Sequence, residues 1–236
     1  MVTLLAEQPR RVLAVYAHPA DADVSCGGSL ARWASSGAEV HLLVCTRGDK
    51  GTTDPGTDPR TLAERRETET AAAAAALGVT AWHGLGHLDG EIEDDRSLRG
   101  ELVAWVRRTR PDTVCCPDPT AVLFGDHYVN HRDHRVVGAA TLDAVAPAAA
   151  RPLYFPELGT PHQVTQLLLS GTLEPTVWVD VTDSIEAKLQ AVTRHRSQLD
   201  GADGWAVDAV RRRAEEDGRR AGVHCAESFR LVRLDG

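Results

Sequence analysis

Short apolar runs rich in β-branched residues alternate along the chain with longer segments that have a helical pattern of apolar positions. Residues 11–17 (RVLAVYA) and 39–46 (EVHLLVCT) are two such runs, and each predicts a buried strand. Between them, Gly27 and Gly28 predict a turn that leads into a helix over residues 29–36. A strand, a helix and a strand in this order predict a right-handed crossover and a parallel sheet.

The same alternation continues through the rest of the chain. A loop rich in Gly, Asp, Thr and Pro follows at 47–59, and loops of that length are usually functional or mobile. Beyond it the pattern predicts strands at 113–116 and 177–181, and helices at 61–77, 98–108, 133–145, 183–199 and 208–221. We therefore expect one α/β domain, 1–236, with a Rossmann-like, mainly parallel sheet flanked by helices. Ligands of such folds bind beyond the carboxyl ends of the strands.

Charge and composition exclude several classes of function. The net charge of −8 and the pI of about 5.7 argue against a nucleic-acid or anionic-membrane partner, because both need a concentrated basic surface. No apolar run approaches the ~20 residues that span a bilayer, and residues 1–10 show no secretion signal. The five cysteines form no C-x-x-C pair, which favours reduced thiols over a Cys-based zinc site. We therefore expect a cytoplasmic protein.

Two polar motifs carry the candidate chemistry. The first strand runs into A-H-P-A-D-A-D-V-S-C-G-G at 17–28, and N-H-R-D-H-R follows far along the chain at 130–135. His131 and His134 are three residues apart, so they share one face of a helix that starts there. Either cluster alone is more often structural than ligating. Together, a histidine and a carboxylate from the first motif and a histidine from the second would form an open three-ligand zinc site, with water in the fourth position.

These motifs resemble those of the LmbE-like (PIG-L) family of zinc-dependent N-deacetylases, which carries A-H-P-D-D-x near its N-terminus and H-x-D-H in its second half. The resemblance covers essentially the whole chain. Further agreement lies in T-R-G-D-K-G at 46–51, in R-x-x-E at 66–69 followed by alanines and L-G-V, in the segment from V-W-V-D-V-T-D to H-R-S-Q at 177–198, and in A-E-S-F-R at 226–230.

The resemblance implies roles for individual residues. It implies that Zn²⁺ is bound by His18, Asp21 and His134. It also implies that His131 contacts the tetrahedral oxyanion or the leaving amine, and that Asp133 orients a histidine. Weaker candidates for substrate binding are Arg47, Asp49 and Arg66, and Asp126 and His127 are candidates for lining the pocket without ligating. The implied partner is a small N-acylated molecule, such as an acetamido sugar, a thiol conjugate or a secondary metabolite.

Position 20 departs from the family pattern. The first aspartate after H-P is the family's general base, and alanine stands there in this chain. A methyl group moves no proton, and losing a positioned acid–base group costs about 10²–10⁴-fold in rate, so we expect Ala20 to impair turnover while the metal ligands remain. A deliberate Asp→Ala change made to trap substrate and a natural non-catalytic pseudoenzyme both account for Ala20, and the otherwise complete site favours the former. A third alternative gives the base role to Asp23.

A nucleotide-binding Rossmann protein is a weaker alternative. Such a protein carries G-x-G-x-x-G after its first strand, whereas this chain has A-H-P-A-D-A there. The sequence leaves open the exact substrate, the physiological divalent metal and whether the chain forms a homo-oligomer.

Overall fold

A computed structural model describes residues 2–199 and 203–234, with strands and helices in alternation. The strands are β1 (Arg11–Tyr16), β2 (Glu39–Thr46), β3 (Ala81–His87), β4 (Thr113–Pro117), β5 (Leu123–Phe124), β6 (Tyr128–Val129), β7 (Gln166–Ser170), β8 (Val177–Asp180) and β9 (Ala226–Arg233). The helices are α1 (Asp21–Ser35), α2 (Pro59–Leu77), α3 (Arg96–Thr109), α4 (Arg132–Val145), α5 (Ile185–Val192), α6 (Arg196–Leu199) and α7 (Asp203–Ala221). A short 3₁₀ helix lies at Ala148–Ala150.

Seven strands form one sheet in the order β3-β2-β1-β4-β7-β9-β8. Strands β1, β2, β3, β4 and β7 pair in parallel, and β9 pairs antiparallel with both β7 and β8. The predicted α/β fold with a mainly parallel, helix-flanked sheet is therefore confirmed. The strand order reverses between β1 and β4, and in doubly wound sheets the crevice at such a point is where ligands bind.

The central strands are apolar throughout because both faces of the sheet are covered. On β1, Leu13 and Val15 contribute to one core with α3 and α4, while Ala14 and Tyr16 contribute to another with α1, α5 and α7. This alternation follows from the two-residue period of a strand. Two buried faces explain why the strands read as continuous apolar runs instead of alternating ones.

The predicted start of the first helix is wrong. Helix α1 begins at Asp21, eight residues before the predicted position, and it continues through a kink at Cys26, where φ is −141°. Gly27 and Gly28 therefore lie inside the helix. A Cβ added at Gly28 would lie 2.9 Å from the Cβ of Val181, so this glycine allows a close approach between chain segments and does not form a turn.

Other elements differ from the sequence prediction in ways that the residues explain. The pattern missed β3, whose apolar positions are interrupted by Gly84 and Gly86, and it also missed β7 and β9. The predicted helix at 183–199 is two helices, α5 and α6, separated at 193–195. Helix α7 begins five residues before its predicted start. Across residues 2–199 and 203–234, none of the helices combines the length and the hydropathy required to cross a membrane.

Candidate metal centre

The first half of the centre lies where β1 ends and α1 begins. His18 follows β1 by two residues and is buried, with 8% of its surface exposed. Its backbone N–H donates to Asp21 Oδ2 at 2.8 Å, which fixes the carboxylate at the first residue of α1. Between them, Ala20 has φ 76° and ψ −17°, in the left-handed region that L-residues other than Asn and Asp rarely adopt.

The second half of the centre is the first turn of α4. His131 is the N-cap residue of this helix, and its Nδ1 accepts the backbone N–H of Asp133 at 3.2 Å. Because Asp133 and His134 follow in the same turn, both are placed by the start of the helix. The position of α4 depends on Gly138, where an added Cβ would lie 2.4 Å from the carbonyl oxygen of Pro117 at the end of β4.

Three side-chain atoms from these two halves converge on one point. His18 Nδ1 lies 3.2 Å from Asp21 Oδ2 and 3.2 Å from His134 Nε2, and the last two atoms are 3.1 Å apart. A tetrahedral zinc with bonds of 2.0–2.1 Å separates its ligand atoms by about 3.3 Å. The three residues named by the sequence motifs therefore fit a zinc ion in both donor type and spacing, and they form one group that could hold a metal.

The other ring nitrogens of the two ligand histidines are held by hydrogen bonds. His18 Nε2 lies 3.1 Å from Asp89 Oδ1 and 3.3 Å from Asp133 Oδ2, while His134 Nδ1 lies 3.0 Å from Asn130 Oδ1. Carboxylate and amide oxygens in these positions select the tautomer that leaves the facing nitrogen free for a metal. The prediction that Asp133 orients a histidine agrees with this geometry.

A second group of potential ligands lies on the far side of His18 and comprises His18, Asp89, His131 and Asp133. Its atoms are already engaged: Asp133 Oδ2 accepts the backbone N–H of Gly90 at 2.7 Å, and His131 Nδ1 accepts from Asp133. His131 Nδ1 also lies 4.0 Å from Asp133 Oδ2, farther than any pair in the first group. We therefore interpret this second group as side chains that hold His18 in place, and not as a second metal site.

The carboxylates set the charge of the histidines around the centre. Burial disfavours a charged His18, but its hydrogen bonds to Asp133, Asp21 and Asp89 outweigh burial and raise its pKa to about 12 in the metal-free protein. Burial likewise opposes ionisation of Asp21, yet His134 and His18 hold the pKa of this carboxyl well below its usual range. The centre is thus built to hold a positive charge among carboxylates.

His131 has a different electrostatic environment from the two ligand histidines. Partial burial and repulsion from His18 lower its pKa below the usual value, which favours the neutral ring at pH 7. Its side chain is 45% exposed, and its ring meets that of His18 edge-on, with 4.7 Å between centroids. With Nδ1 acting as an acceptor, neutral His131 carries its proton on Nε2 and can donate a hydrogen bond to an oxyanion or to a nitrogen.

The three candidate substrate residues lie in or against the loop after β2 and differ in exposure. Arg47 is exposed, whereas Asp49 is buried and accepts the backbone N–H of Asp89 at 2.9 Å. Arg66, on α2, is buried, and it donates to the carbonyls of Gly48 and Gly51 at 2.5 and 2.7 Å. Asp49 and Arg66 therefore stabilise the loop and the strand end, and of the three only Arg47 has a side chain open to solvent.

The remaining candidates belong to neither of the two groups of potential metal ligands among the described residues. Asp23 and His195 are each 1% exposed and pair through Oδ2 and Nε2 at 2.9 Å, which counts against Asp23 as a general base at the metal. Asp126 and His127 are exposed at the turn between β5 and β6. Neither lines the cavity that contains Asp21 and His134 in its wall, which is described below.

Sequence reasoning missed Asp89 and Asn130, which hold the ligand histidines. Asp89 follows β3, a strand hidden by its glycines, and its position at the carboxyl end of that strand would have placed it beside His18. Asn130 precedes His131 within the second motif, so its nearness to the site was visible although its role was not.

A cavity of about 470 Å³ opens beside the three ligand atoms. Asp21, His134 and Ala20 line one part of it. The rest is lined by residues of α5, α6 and α7 together with others that include Tyr16, Ser25, Phe124, Tyr128 and Ser170. Cavities that hold a whole small molecule measure roughly 300–1,000 Å³, so this one is large enough for a substrate or a substantial part of one.

Comparison with known proteins agrees with this geometry. The family model described as GlcNAc-PI de-N-acetylase (PIG-L) matches residues 13–145, over half of the chain and both motifs. Diacetylchitobiose deacetylase of Thermococcus kodakarensis is 33% identical, covering 94% of this chain and 83% of that protein. A 1D-myo-inositol 2-acetamido-2-deoxy-alpha-D-glucopyranoside deacetylase of Kineococcus radiotolerans is 36% identical, covering 96% and 78%.

Among solved structures, N,N'-diacetylchitobiose deacetylase from Pyrococcus horikoshii superposes with a TM-score of 0.86 at 31% identity, covering 95% of this chain and 84% of that one. The family match spans both halves of the centre, and the similar proteins extend the match over nearly the whole chain. The chain therefore belongs to the PIG-L family of GlcNAc-PI de-N-acetylases.

Proposed function

We propose that this chain is a zinc-dependent N-deacetylase scaffold that binds a small molecule carrying an N-acyl group on an amine, such as an acetamido sugar. The observation that carries the proposal is the convergence of His18 Nδ1, Asp21 Oδ2 and His134 Nε2 beside a cavity. The relatives named above deacetylate diacetylchitobiose and an acetamido glucopyranoside, which makes an acetamido sugar the first substrate class to test.

Each group at the centre would have a distinct role in hydrolysis of the amide. A zinc ion held by the three ligand atoms would polarise the amide carbonyl and lower the pKa of water. His131, neutral with a proton on Nε2, would donate a hydrogen bond to the carbonyl oxygen as it becomes negative and then to the departing nitrogen, whose added proton would come from the attacking water. Asp89 and Asp133 would keep His18 oriented throughout.

The step without an assigned residue is removal of the proton from the attacking water. Ala20 lies next to Asp21 and lines the cavity, and its methyl group accepts no proton. We therefore propose that the chain with Ala20 binds metal and substrate but turns over about 10²–10⁴-fold more slowly than a variant with a carboxylate there.

The test is an acetate-release assay of Ala20→Asp with added zinc on N-acetylglucosamine, its disaccharide and a thiol conjugate. Ala20→Asn is the matched control, since it has nearly the same size and tolerates the same backbone conformation but has no basic carboxylate. Activity in the Asp variant alone supports the proposal. Failure to take up zinc, or inactivity of Ala20→Asp on every acylated amine, refutes it.

The competing candidate is a natural non-catalytic binding protein of the same fold. The alanine at position 20 favours it, because a protein that only binds has no use for a base. It predicts that the unchanged chain and Ala20→Asp bind ligand equally and that neither releases acetate.

A further inference from the structure

The cavity beside the metal centre is larger than an acetyl group requires. It reaches from Asp21 and His134 to α7, and its volume of about 470 Å³ lies within the range for a whole small molecule. The buried part of its far wall is aliphatic: Val192 and Leu199 are buried, and Val210 of α7 is 9% exposed, whereas Arg213 of α7, which also lines the cavity, is exposed.

The buried polar groups that line the cavity are engaged with the protein itself, whereas Ser25, Tyr128 and Arg213 also line it but are half-buried or exposed. The hydroxyls of Tyr16 and Ser170 are 2.8 Å apart and bond to each other, and His195 pairs with Asp23 at 2.9 Å. Asn130 donates to the carbonyl of Ala121 at 2.7 Å and also bonds His134. In the buried part of the cavity, a sugar ring would have to break such bonds or leave its own hydroxyls without partners, which is costly. An alkyl chain needs no polar partner.

His131 indicates which half of an amide substrate would enter this cavity. Its ring lies edge-on to His18 and is 45% exposed, and it is not among the lining residues of the cavity within the described part of the chain. The carbonyl carbon of an amide bears its nitrogen and its acyl substituent in different directions in one plane. If the nitrogen faces the proton on His131, the acyl substituent points away from it, toward Ala20 and the cavity.

Ala20 makes the entrance of the cavity apolar. A carboxylate at this position would stand in the wall beside the carbonyl, next to the first methylenes of an acyl chain. Alanine presents a methyl group there instead, so a path without a charged side chain at position 20 leads from the metal ligands toward the aliphatic wall.

We infer that this cavity is an acyl-chain site, and that the preferred ligands carry a straight-chain N-acyl group longer than acetyl. This inference rests on the proposed function, because it takes the amide to bind at the metal centre. The inference specifies the acyl part of the ligand, and it places the amine part at the solvent-exposed side near His131.

The experiment measures binding, so it does not depend on turnover. Zinc-loaded protein with Ala20 is titrated with N-acyl glucosamines from acetyl to octanoyl, and saturation-transfer NMR reports which ligand protons contact the protein. The expected affinity rises about four-fold for each added methylene until the cavity is filled. The acyl methylene protons should receive stronger saturation than the sugar protons.

Two alanines on α7 give a matched pair of variants. Ala206 is half-buried and lines the cavity, and Ala206→Phe should lower the ratio of octanoyl to acetyl affinity about ten-fold or more. Ala209, three residues later, is also half-buried but faces a separate surface depression, so Ala209→Phe should keep the full chain-length dependence. Comparable melting temperatures would show that both variants fold.

The outcomes separate this inference from the proposed function. A flat or falling profile with clear acetyl binding overturns the acyl-chain site and leaves the deacetylase proposal standing. A rising profile that Ala209→Phe abolishes as strongly as Ala206→Phe also overturns it. If no N-acyl amine binds and Ala20→Asp releases no acetate, the proposed function fails and the acyl-chain site fails with it.

Discussion

The left-handed backbone at Ala20 predicts that removing its side chain stabilises the protein. An L-residue pays about 1–2 kcal/mol in this region, because its Cβ crowds the following carbonyl oxygen, and φ at Ala20 is 76°. Glycine avoids that cost, but it lowers the free energy of unfolding by about 0.4–1 kcal/mol because the unfolded chain has more conformational freedom. The expected net gain for Ala20→Gly is about 0.5–1 kcal/mol in the free energy of unfolding. For a chain of this length that corresponds to a rise in Tm of about 1–4 °C.

The matched control is an alanine that has ordinary helical backbone and no buried contacts. Ala75 is exposed within α2, and Ala75→Gly should cost about 1 kcal/mol because glycine is a poor helix former. Both variants are unfolded by heat and by urea in the presence of a chelator, so that bound metal adds nothing to the measured free energy. If Ala20→Gly lowers the melting temperature as much as Ala75→Gly does, position 20 is not strained and the reasoning is refuted.

Three further predictions concern the same framework. Gly138→Ala should cost about 1–3 kcal/mol and weaken zinc binding, because the new methyl group would press on a backbone carbonyl. In the control Gly100→Ala, the tightest contact of the new methyl group is a phenyl ring at 3.2 Å, and the change should be close to neutral. Urea unfolding and a zinc competition assay would check both variants. Zinc affinity should rise about tenfold per pH unit between pH 6 and 8. The reason is that His18, whose hydrogen bonds to carboxylates outweigh burial and raise its pKa to about 12, must release one proton to bind the metal; an affinity independent of pH would contradict this. Glu227→Gln should cost about 3–5 kcal/mol in urea unfolding by leaving buried Lys188 without its partner. Glu227→Gln combined with Lys188→Met should recover much of that loss, because the amide oxygen can still accept a backbone N–H of Gly28 or Ser29.

The convergence of His18, Asp21 and His134 could be predicted from the sequence because each lies at a point where the chain direction is easy to infer. His18 and Asp21 follow a strand that is buried on both faces and therefore reads as an uninterrupted apolar run. His134 lies in the first turn of a helix whose start is marked by its own motif. The carboxyl ends of parallel strands share one edge of the sheet, so the two motifs are expected to lie close together there.

The supporting residues could not be predicted, because their roles depend on elements with weak sequence signals. Asp89 follows β3, where glycines at alternate positions remove the apolar pattern of a strand. Arg66 reads as an ordinary charged residue on a helix, and only the fold shows that both of its terminal nitrogens are engaged by the carbonyls of a loop. Asp23 and His195 are 172 residues apart, and no local sequence pattern predicts that they form a pair.

The hydrogen bonds that hold the metal ligands do not involve the side chain at position 20. Asp21 is fixed by the backbone N–H of His18, the ring of His18 by Asp89 and Asp133, and the ring of His134 by Asn130. In the proposed function, metal binding and proton transfer are therefore assigned to separate groups, and none of the hydrogen bonds named above requires a carboxylate at position 20. This separation is what permits a member of a deacetylase family to keep a complete ligand set around Ala20. It also means that the intact centre is evidence for binding, whereas evidence for turnover has to come from position 20 itself.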